Sequence, residues 1–507
     1  MQIPVRQSCQ SHPPETLHSN FSHDENQVLL WANNKRSFTT DQAAKNITRS
    51  GSKFQDRNRD GEIVVGFNFG GNFNAAQKQR ARQALQYWAD VTNIKFVENG
   101  SNTDGHITIN GTGGSGGVAI MPTGHSSRVY ANVGTQGAHN PTMGSGFLTL
   151  LIHELGHTLG LHHPGGYNGG GTYQRNAEYA QDTKARSVMS YWAETHQPGH
   201  NFAGSSPAAP MMDDIAGSQL LYGANTKTRN TDTTYGFNSN SGREVYSLKQ
   251  GTEKPVFTVW DGGGNDTLDF SGFTQDQAIN LKAESFSDVG GLRGNVSIAK
   301  GVNVENAIGG TGNDTLKGNE GNNRLTGGKG ADKLYGGAGA DTFVYRRASD
   351  STPQAPDIIQ DFQSGSDKID LTGVLQEAGL KSLNFSEKFS GKAGEAVLGH
   401  DSKTGRYTLA VDTTGNGKAD LLVASQGQIK QTDIIWNGQA PTVTPTPGPT
   451  VSPVSDPVPP PVSEPTEPDP SPKPSPSPAP APRPGDGVIN EILSLFRTLL
   501  NKVRSIS

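Results

Sequence analysis

The sequence predicts an α+β domain followed by an all-β parallel β-roll domain, then a Pro-rich disordered spacer and a C-terminal amphipathic helix. Three observations carry that prediction. Between Asn74 and Asn93, Ala81, Ala84, Leu85, Trp88 and Val91 recur at helical spacing, an apolar stripe that must face a sheet. After about Asn225 helical periodicity gives way to Gly, Asn, Asp and Thr, and a nine-residue unit repeats within that composition. From Pro441 to Pro484, 19 of 44 residues are Pro, which favours an extended polyproline-type spacer over a packed core.

In chain order, residues 1–36 are polar and unpatterned and read as a leader or pro-segment. Residues 37–225 form the first domain. Its candidate strands are Ile63 to Phe69, Ile94 to Val97 and His106 to Ile109, and its helices run from Asn74, from Gly146 to Leu159 and from Asp213 to Tyr222. Residues 226–436 carry the repeats, 437–486 the spacer, and 487–507 a helix with Ile489, Ile492, Leu493, Phe496, Leu499, Leu500 and Val503 on one face. An apolar-faced helix on a stalk needs a partner.

Composition excludes several functions. With 43 Lys+Arg against 48 Asp+Glu, the net charge is -5, and no general attraction to nucleic acid results. One cysteine, Cys9, rules out an internal disulfide framework and a Cys-only zinc cluster. No apolar run approaches the ~18 residues of a transmembrane helix. The N-terminus also lacks the apolar core of a secretory signal peptide, so the chain either stays in the cytoplasm or leaves by a route that reads another signal.

Residues 153 to 163 read H-E-L-G-H-T-L-G-L-H-H, matching HExxHxxGxxH. Residues four apart lie on one helix face, so His153 and His157 can hold one metal ion while Glu154 projects beside them as base toward an activated water. Gly160 can take a positive φ and end the helix, letting the chain turn so that His163 supplies a third imidazole. Three protein ligands leave positions open, the arrangement of catalytic zinc. His162 is one residue out of register and reads as a non-ligand.

The repeats are G-G-T-G-N-D-T-L-K from Gly309, G-N-E-G-N-N-R-L-T from Gly318, G-G-K-G-A-D-K-L-Y from Gly327 and G-G-A-G-A-D-T-F-V from Gly336, with a weaker copy from Asp261. This is the RTX type of unit. Its G-G-x-G-x-D turn offers carbonyls and an Asp to Ca²⁺, and its last three residues form a short strand. The candidate calcium ligands are Gly309, Gly310, Gly312 and Asp314; Gly327, Gly328, Gly330 and Asp332; Gly336, Gly337, Gly339 and Asp341; and Asp266, Asp350 and Asp357. Stacking is expected to line up Leu316, Leu325, Leu334 and Phe343, with the acids in a second line nine apart. Packed carboxylates repel without a counter-ion, so several structural Ca²⁺ are expected as part of the fold. Asn323 replaces Asp in the second unit, and that site is expected to be weaker or to rely on carbonyls. The loop D-R-N-R-D-G from Asp56 begins like an EF-hand but has Phe67 where the bidentate Glu should be, which favours a hairpin turn. The loop from Asp412 is ambiguous in the same way.

Downstream of the histidines lies S-V-M-S-Y-W, with Met189 and Tyr191. The eleven-residue motif with this turn resembles the metzincins, and H-H-P with S-V-M-S-Y resembles the serralysins, secreted bacterial zinc endopeptidases. Supporting stretches begin at Ser37, Tyr179 (Y-A-Q-D-T) and Asp214, so the resemblance covers about residues 37 to 436. It implies that Met189 forms a hydrophobic floor under one catalytic Zn²⁺. Tyr191 would be a further zinc ligand, displaced when substrate binds and then stabilising the oxyanion. The segment G-G-V-A-I-M-P-T-G from Gly116 resembles the family's edge strand for extended peptide substrates. The resemblance also implies an extracellular monomer exported by type I (ABC-transporter) machinery, with the leader removed between about Leu30 and Thr40. The rival reading is a non-catalytic RTX surface or adhesion protein with a relic protease domain. Relics lose ligands first, and here every ligand, Glu154, Met189 and Tyr191 are present.

Overall fold

The structure, a computed structural model, describes residues 35–436 except His125. The leader through residue 34, the spacer and the C-terminal helix assigned from the sequence lie outside the described residues.

The first half begins with α1 (Thr40–Ile47), started by a reciprocal cap between Thr39 and Gln42. The T-x-x-Q signal for this helix stands in the sequence, yet the periodicity reading passed over it. Next come β1 (Ile63–Gly71), α2 (Ala75–Val91), β2 (Ile94–Glu98), β3 (Gly105–Thr112), β4 (Gly117–Ala119) and β5 (Arg128–Gly134). Asn74 caps α2 with Gln77 in the same reciprocal way. The strands form one sheet in the order β2-β1-β3-β5-β4. All neighbours are parallel except β4, which runs antiparallel to β5 and leaves its other edge free. The sequence reading missed β5, although Val129, Ala131 and Val133 alternate as a half-buried strand should.

After the sheet come α3 (Gly146–Thr158), α4 (Tyr173–Asn176) and α5 (Met212–Tyr222). Trp88 of α2 is fully buried and donates its indole N–H to the Ile152 carbonyl of α3 at 3.2 Å. Leu148, Leu151, Ile152 and Leu155 are buried in the same core, each worth about 1.5–3 kcal/mol of transfer free energy. That apolar packing fixes α3 whatever its polar residues do. The Asp56 loop is not a hairpin turn, contrary to expectation. It leads into β1, whose neighbours are both parallel, and the Asp56 carboxylate accepts from the N–H groups of Arg59 and Gly61.

The second half is mostly strands of two or three residues. Thr315–Lys317 pairs in parallel with Lys333–Tyr335, and Arg324–Thr326 with Thr342–Val344. Consecutive repeats therefore fall in different sheets. The expected single apolar line is two lines, Leu316 with Leu334 and Leu325 with Phe343, eighteen residues apart. The acids divide likewise, because each turn sends the chain across to the other sheet before the next strand begins. The stack continues into Glu395–Asp401, Arg406–Asp412 and Leu421–Ser425, which pair antiparallel. The Asp412 loop is the hairpin connection between the last two.

All the described residues lie in one compact unit. Asp90 on α2, almost wholly buried, pairs with Arg229 at 2.9 Å and Arg243 at 2.7 Å. This buried carboxylate, held by two guanidinium groups, ties α2 to the start of the second half.

Candidate metal centre

The centre grows from the end of α3. His153 and His157 lie one turn apart, and Gly160, at φ 98°, ends the helix where a side chain would run into the Ser52 carbonyl. The chain doubles back and delivers His163. Each Nδ1 meets a backbone carbonyl: His153 with Val188 at 2.8 Å, His157 with Leu161 at 2.7 Å and His163 with Tyr167 at 2.8 Å. Those contacts place the ring proton on Nδ1 and turn three Nε2 lone pairs toward one point.

The convergence is tight: Nε2 of His163 lies 3.0 Å from that of His157 and 3.2 Å from that of His153. Burial lowers His153 to about 4, so at neutral pH no extra proton settles between the rings. Three neutral nitrogen donors facing one another fit a divalent cation, and an all-imidazole set with open positions fits zinc. Among the described residues these three are the group of His, Cys, Asp or Glu whose ligand atoms converge, all within 4.8 Å. His162 faces Ser50 instead, at 2.7 Å.

Glu154 is buried, its Oε2 has no hydrogen-bond partner, and burial raises its carboxyl to about 7. It sits against β4, where any side chain at Gly117 would collide with its carboxylate. Met189 is fully buried and packs against α3 between the two histidine turns. A Cβ at Gly156 would come within 2.6 Å of its sulfur. The Tyr191 ring lies 4.4 Å from that of His163 and 5.8 Å from that of His153, and its hydroxyl accepts from the Gly169 N–H at 3.5 Å.

Sequence reasoning missed the buried acids behind the ligands. Asp214 accepts from Ser187 Oγ at 2.6 Å, Val188 N at 2.7 Å and Met211 N at 2.9 Å. It thereby fixes Val188, whose carbonyl holds His153. Its only sequence signal was its place in the matching stretch from Asp214.

In the second half, Asp314 N donates to Asp332 Oδ1, and Asp332 N to Asp357 Oδ1, at 2.7 and 2.9 Å. One oxygen of Asp332 and one of Asp357 have no partner, nor has one of Asp266. Burial pushes all three carboxyls up, and neighbouring carboxylates push them further. Asp341 stands in the other row, donating from its N–H to Asp367, and burial raises it to about 7. Asp350 is occupied by the N–H groups of Arg346 and Arg347. The glycines have a steric reason. A Cβ on Gly328 or Gly330, both at positive φ, would strike the carbonyl of Gly310 or Gly312, one on Gly337 or Gly339 that of Asn319 or Gly321, and one on Gly309, Gly327 or Gly336 the following Asp.

Three imidazoles converging at the end of a buried helix, with an acid among them, a methionine beneath and a free antiparallel edge beside, define a zinc metalloendopeptidase of the metzincin type. The profile described as Astacin, itself a peptidase family, matches residues 54–166, and Peptidase M10 serralysin C terminal matches 224–436. The chain is 50% identical over 460 residues to Metalloprotease AprA of Pseudomonas entomophila, covering 83% of this chain and 94% of that one. It is 48% identical over 370 residues to Serralysin of Photorhabdus laumondii, covering 69% and 77%, and 47% identical over 383 residues to Serralysin C of Dickeya chrysanthemi, covering 71% and 79%. The chain belongs to the serralysin family of metalloproteases.

Proposed function

We propose that the protein is a secreted, calcium-stabilised endopeptidase that cleaves extended segments of proteins with Glu154 as general base. The observation that carries this is the partnerless Glu154 oxygen beside three converging imidazoles and under the free edge of β4. His153, His157 and His163 would hold the zinc, which when bound would supply Lewis acidity to the scissile carbonyl and to water. The substrate adds as a strand to β4, whose edge offers unpaired backbone groups. Glu154 takes a proton from the attacking water and delivers it to the nitrogen of the departing amine. Tyr191, whose ring lies beside that of His163, would be a further ligand to the metal and would then donate its hydroxyl to the developing oxyanion. Met189 supports the ligand helix from below. Casein hydrolysis that stops with a zinc-selective chelator and returns with zinc tests the reading; activity indifferent to the chelator overturns it.

The partnerless oxygens of the Asp rows and the carbonyls of the stacked glycine turns support several structural Ca²⁺ ions. A two-domain division near residue 225 fits the place where the second profile match begins. Among the described residues no helix is long and apolar enough to cross a membrane. We assign export to type I machinery that reads the segment 487–507, with 437–486 as a spacer, and the working form to a monomer. Deleting 487–507 is expected to trap the chain in the cell with its lysate activity intact; normal export of the truncated chain places the signal elsewhere.

A further inference from the structure

Asp182 lies in the stretch Y-A-Q-D-T, where sequence reading assigned it no chemical role, and it touches neither the three imidazoles nor Glu154. Its side chain is fully buried. Oδ1 accepts from the Tyr167 hydroxyl at 2.8 Å and from Ser190 Oγ at 2.7 Å, and Oδ2 accepts from Trp192 Nε1 at 3.2 Å. Three donors and no acceptor surround it, which suits a carboxylate, the acceptor-only side chain. A buried acid is costly unless its partners repay the desolvation, and all three partners belong to the wall of the metal centre.

Their positions tell what the acid holds. Ser190 and Trp192 flank Tyr191 in the chain, so the carboxylate grips both neighbours of that residue. Trp192 is held further by its own N–H to Ser190 Oγ at 3.2 Å and by its carbonyl, which accepts from Lys184 N at 2.9 Å. The Tyr191 ring packs against those of His163 and Tyr167, and its hydroxyl makes only the long hydrogen bond from Gly169 N–H among the described residues. Its two chain neighbours are clamped while its hydroxyl is held by one long bond, which leaves that hydroxyl available to the site. On the other side Tyr167 stacks on the His163 ring, centroids 5.3 Å apart and planes 13° from parallel, and its carbonyl accepts a hydrogen bond from His163 Nδ1–H. One acid thus anchors both chain neighbours of Tyr191 and the support of the third imidazole.

We infer that Asp182 is a positioning residue for peptide hydrolysis, acting through Tyr191 on the transition state and through Tyr167 on His163. The first limb rests on the role proposed for Tyr191. The test is a double-mutant cycle on the zinc-loaded full chain with Asp182→Asn, Tyr191→Phe and both together, alongside the rate at which each variant and Tyr167→Phe release zinc to a colorimetric chelator. Asp182→Asn keeps the shape but turns an N–H₂ toward a donor. It is expected to lower kcat by about 10-fold or more, with KM within about twofold. In the Tyr191→Phe background the same change should cost less than about twofold, because the group it positions is gone. Zinc release should quicken about 10-fold in both Asp182→Asn and Tyr167→Phe, the scale of a lost outer support.

An equal kcat penalty with and without the Tyr191 hydroxyl, or unchanged zinc release, overturns the inference. Full activity of Tyr191→Phe alone would instead overturn the reading of Tyr191, and zinc release would still decide whether Asp182 supports His163. If Asp182→Asn does not fold, Ser190→Ala and Trp192→Phe each remove one donor and carry the same cycle.

Discussion

Both halves gather lone pairs that lack a partner, but they do so on different foundations. In the first half the ligand helix is already fixed by Trp88, Leu151 and Leu155, and the three imidazoles are held by carbonyls of neighbouring loops. In the second half each strand of the four nine-residue repeats buries a single apolar residue, such as Leu316 or Leu334, and carboxylates stand inside the stacking itself. A cation in the first half completes a site on a finished scaffold. On the calcium reading proposed above, a cation in the second half would complete the scaffold. Loss of zinc should therefore remove activity and spare the fold, whereas loss of calcium should remove fold first.

The largest effect separates chemistry from scaffold most cleanly. Glu154→Ala removes the proposed base and leaves all three imidazoles, so zinc content is expected to stay near one per chain while peptide hydrolysis falls by about 10²–10⁴-fold. Metal analysis and a peptide assay on the same sample check this, and a variant that lost its zinc would show that the acid also holds the site together. The next effect runs the other way. A calcium-selective chelator should melt the second half first, seen as a change in the far-ultraviolet CD spectrum while the zinc stays bound. Each ion bound at 100 times its Kd contributes about 2.7 kcal/mol. A single merged transition, equally low for both halves, would erase the contrast.

Protonation offers a subtler probe of the same rows. The carboxyls of Asp332, Asp357 and Asp341 are raised by burial above the ordinary range near 4. In chelated protein the folded form therefore binds protons that the unfolded form has already released. Stability contributed by those protons is full near pH 4 and is lost as pH rises through about 7, where Asp341 titrates. Without calcium, the melting temperature of the second half should fall between about pH 5 and pH 8. With saturating calcium that slope should flatten or reverse, since the ion takes the place of the protons. Parallel slopes in both conditions would mean that the carboxylates do not hold the ion.

How much of this could be read in advance followed the same division. His153, Glu154, His157, Gly160 and His163 sit within eleven residues, and helix geometry converts that spacing directly into a site. Asp214 and Asp182 act across folds of chain that no spacing reveals, since Asp182 reaches Tyr167 fifteen residues back and Trp192 ten ahead. The repeat was legible as a nine-residue period, but the sheets are built on eighteen. A periodic string does not say on which side of the stack each strand lies. The Asp56 loop misled because its acidic pattern is local, while whether it closes a hairpin depends on β1, β2 and β3 lying parallel.

The smallest expected effect tests whether an amide can stand where the repeat elsewhere has an acid. Asn323 occupies the Asp position of the second unit, and its Oδ1 accepts from Asn319 N at 2.8 Å, much as Asp314 Oδ2 accepts from Gly310 N at 2.6 Å. Its Nδ2 donates to the Glu305 carbonyl at 3.0 Å and to Asn319 Oδ1 at 3.2 Å. Those two oxygens are satisfied by a donor the chain carries itself, whereas Oδ2 of Asp332 and Oδ2 of Asp357 have none. Asn323→Asp would turn a carboxylate toward both. Without calcium it should cost about 1–3 kcal/mol, the penalty for buried acceptors left facing one another, and lower the melting temperature by a few degrees. With calcium the same three oxygens become ligands, so the variant should regain that stability and bind one ion more per chain by calorimetric titration. A loss of equal size in both conditions, with no added ion, would show that this turn is closed to calcium by shape rather than by the amide.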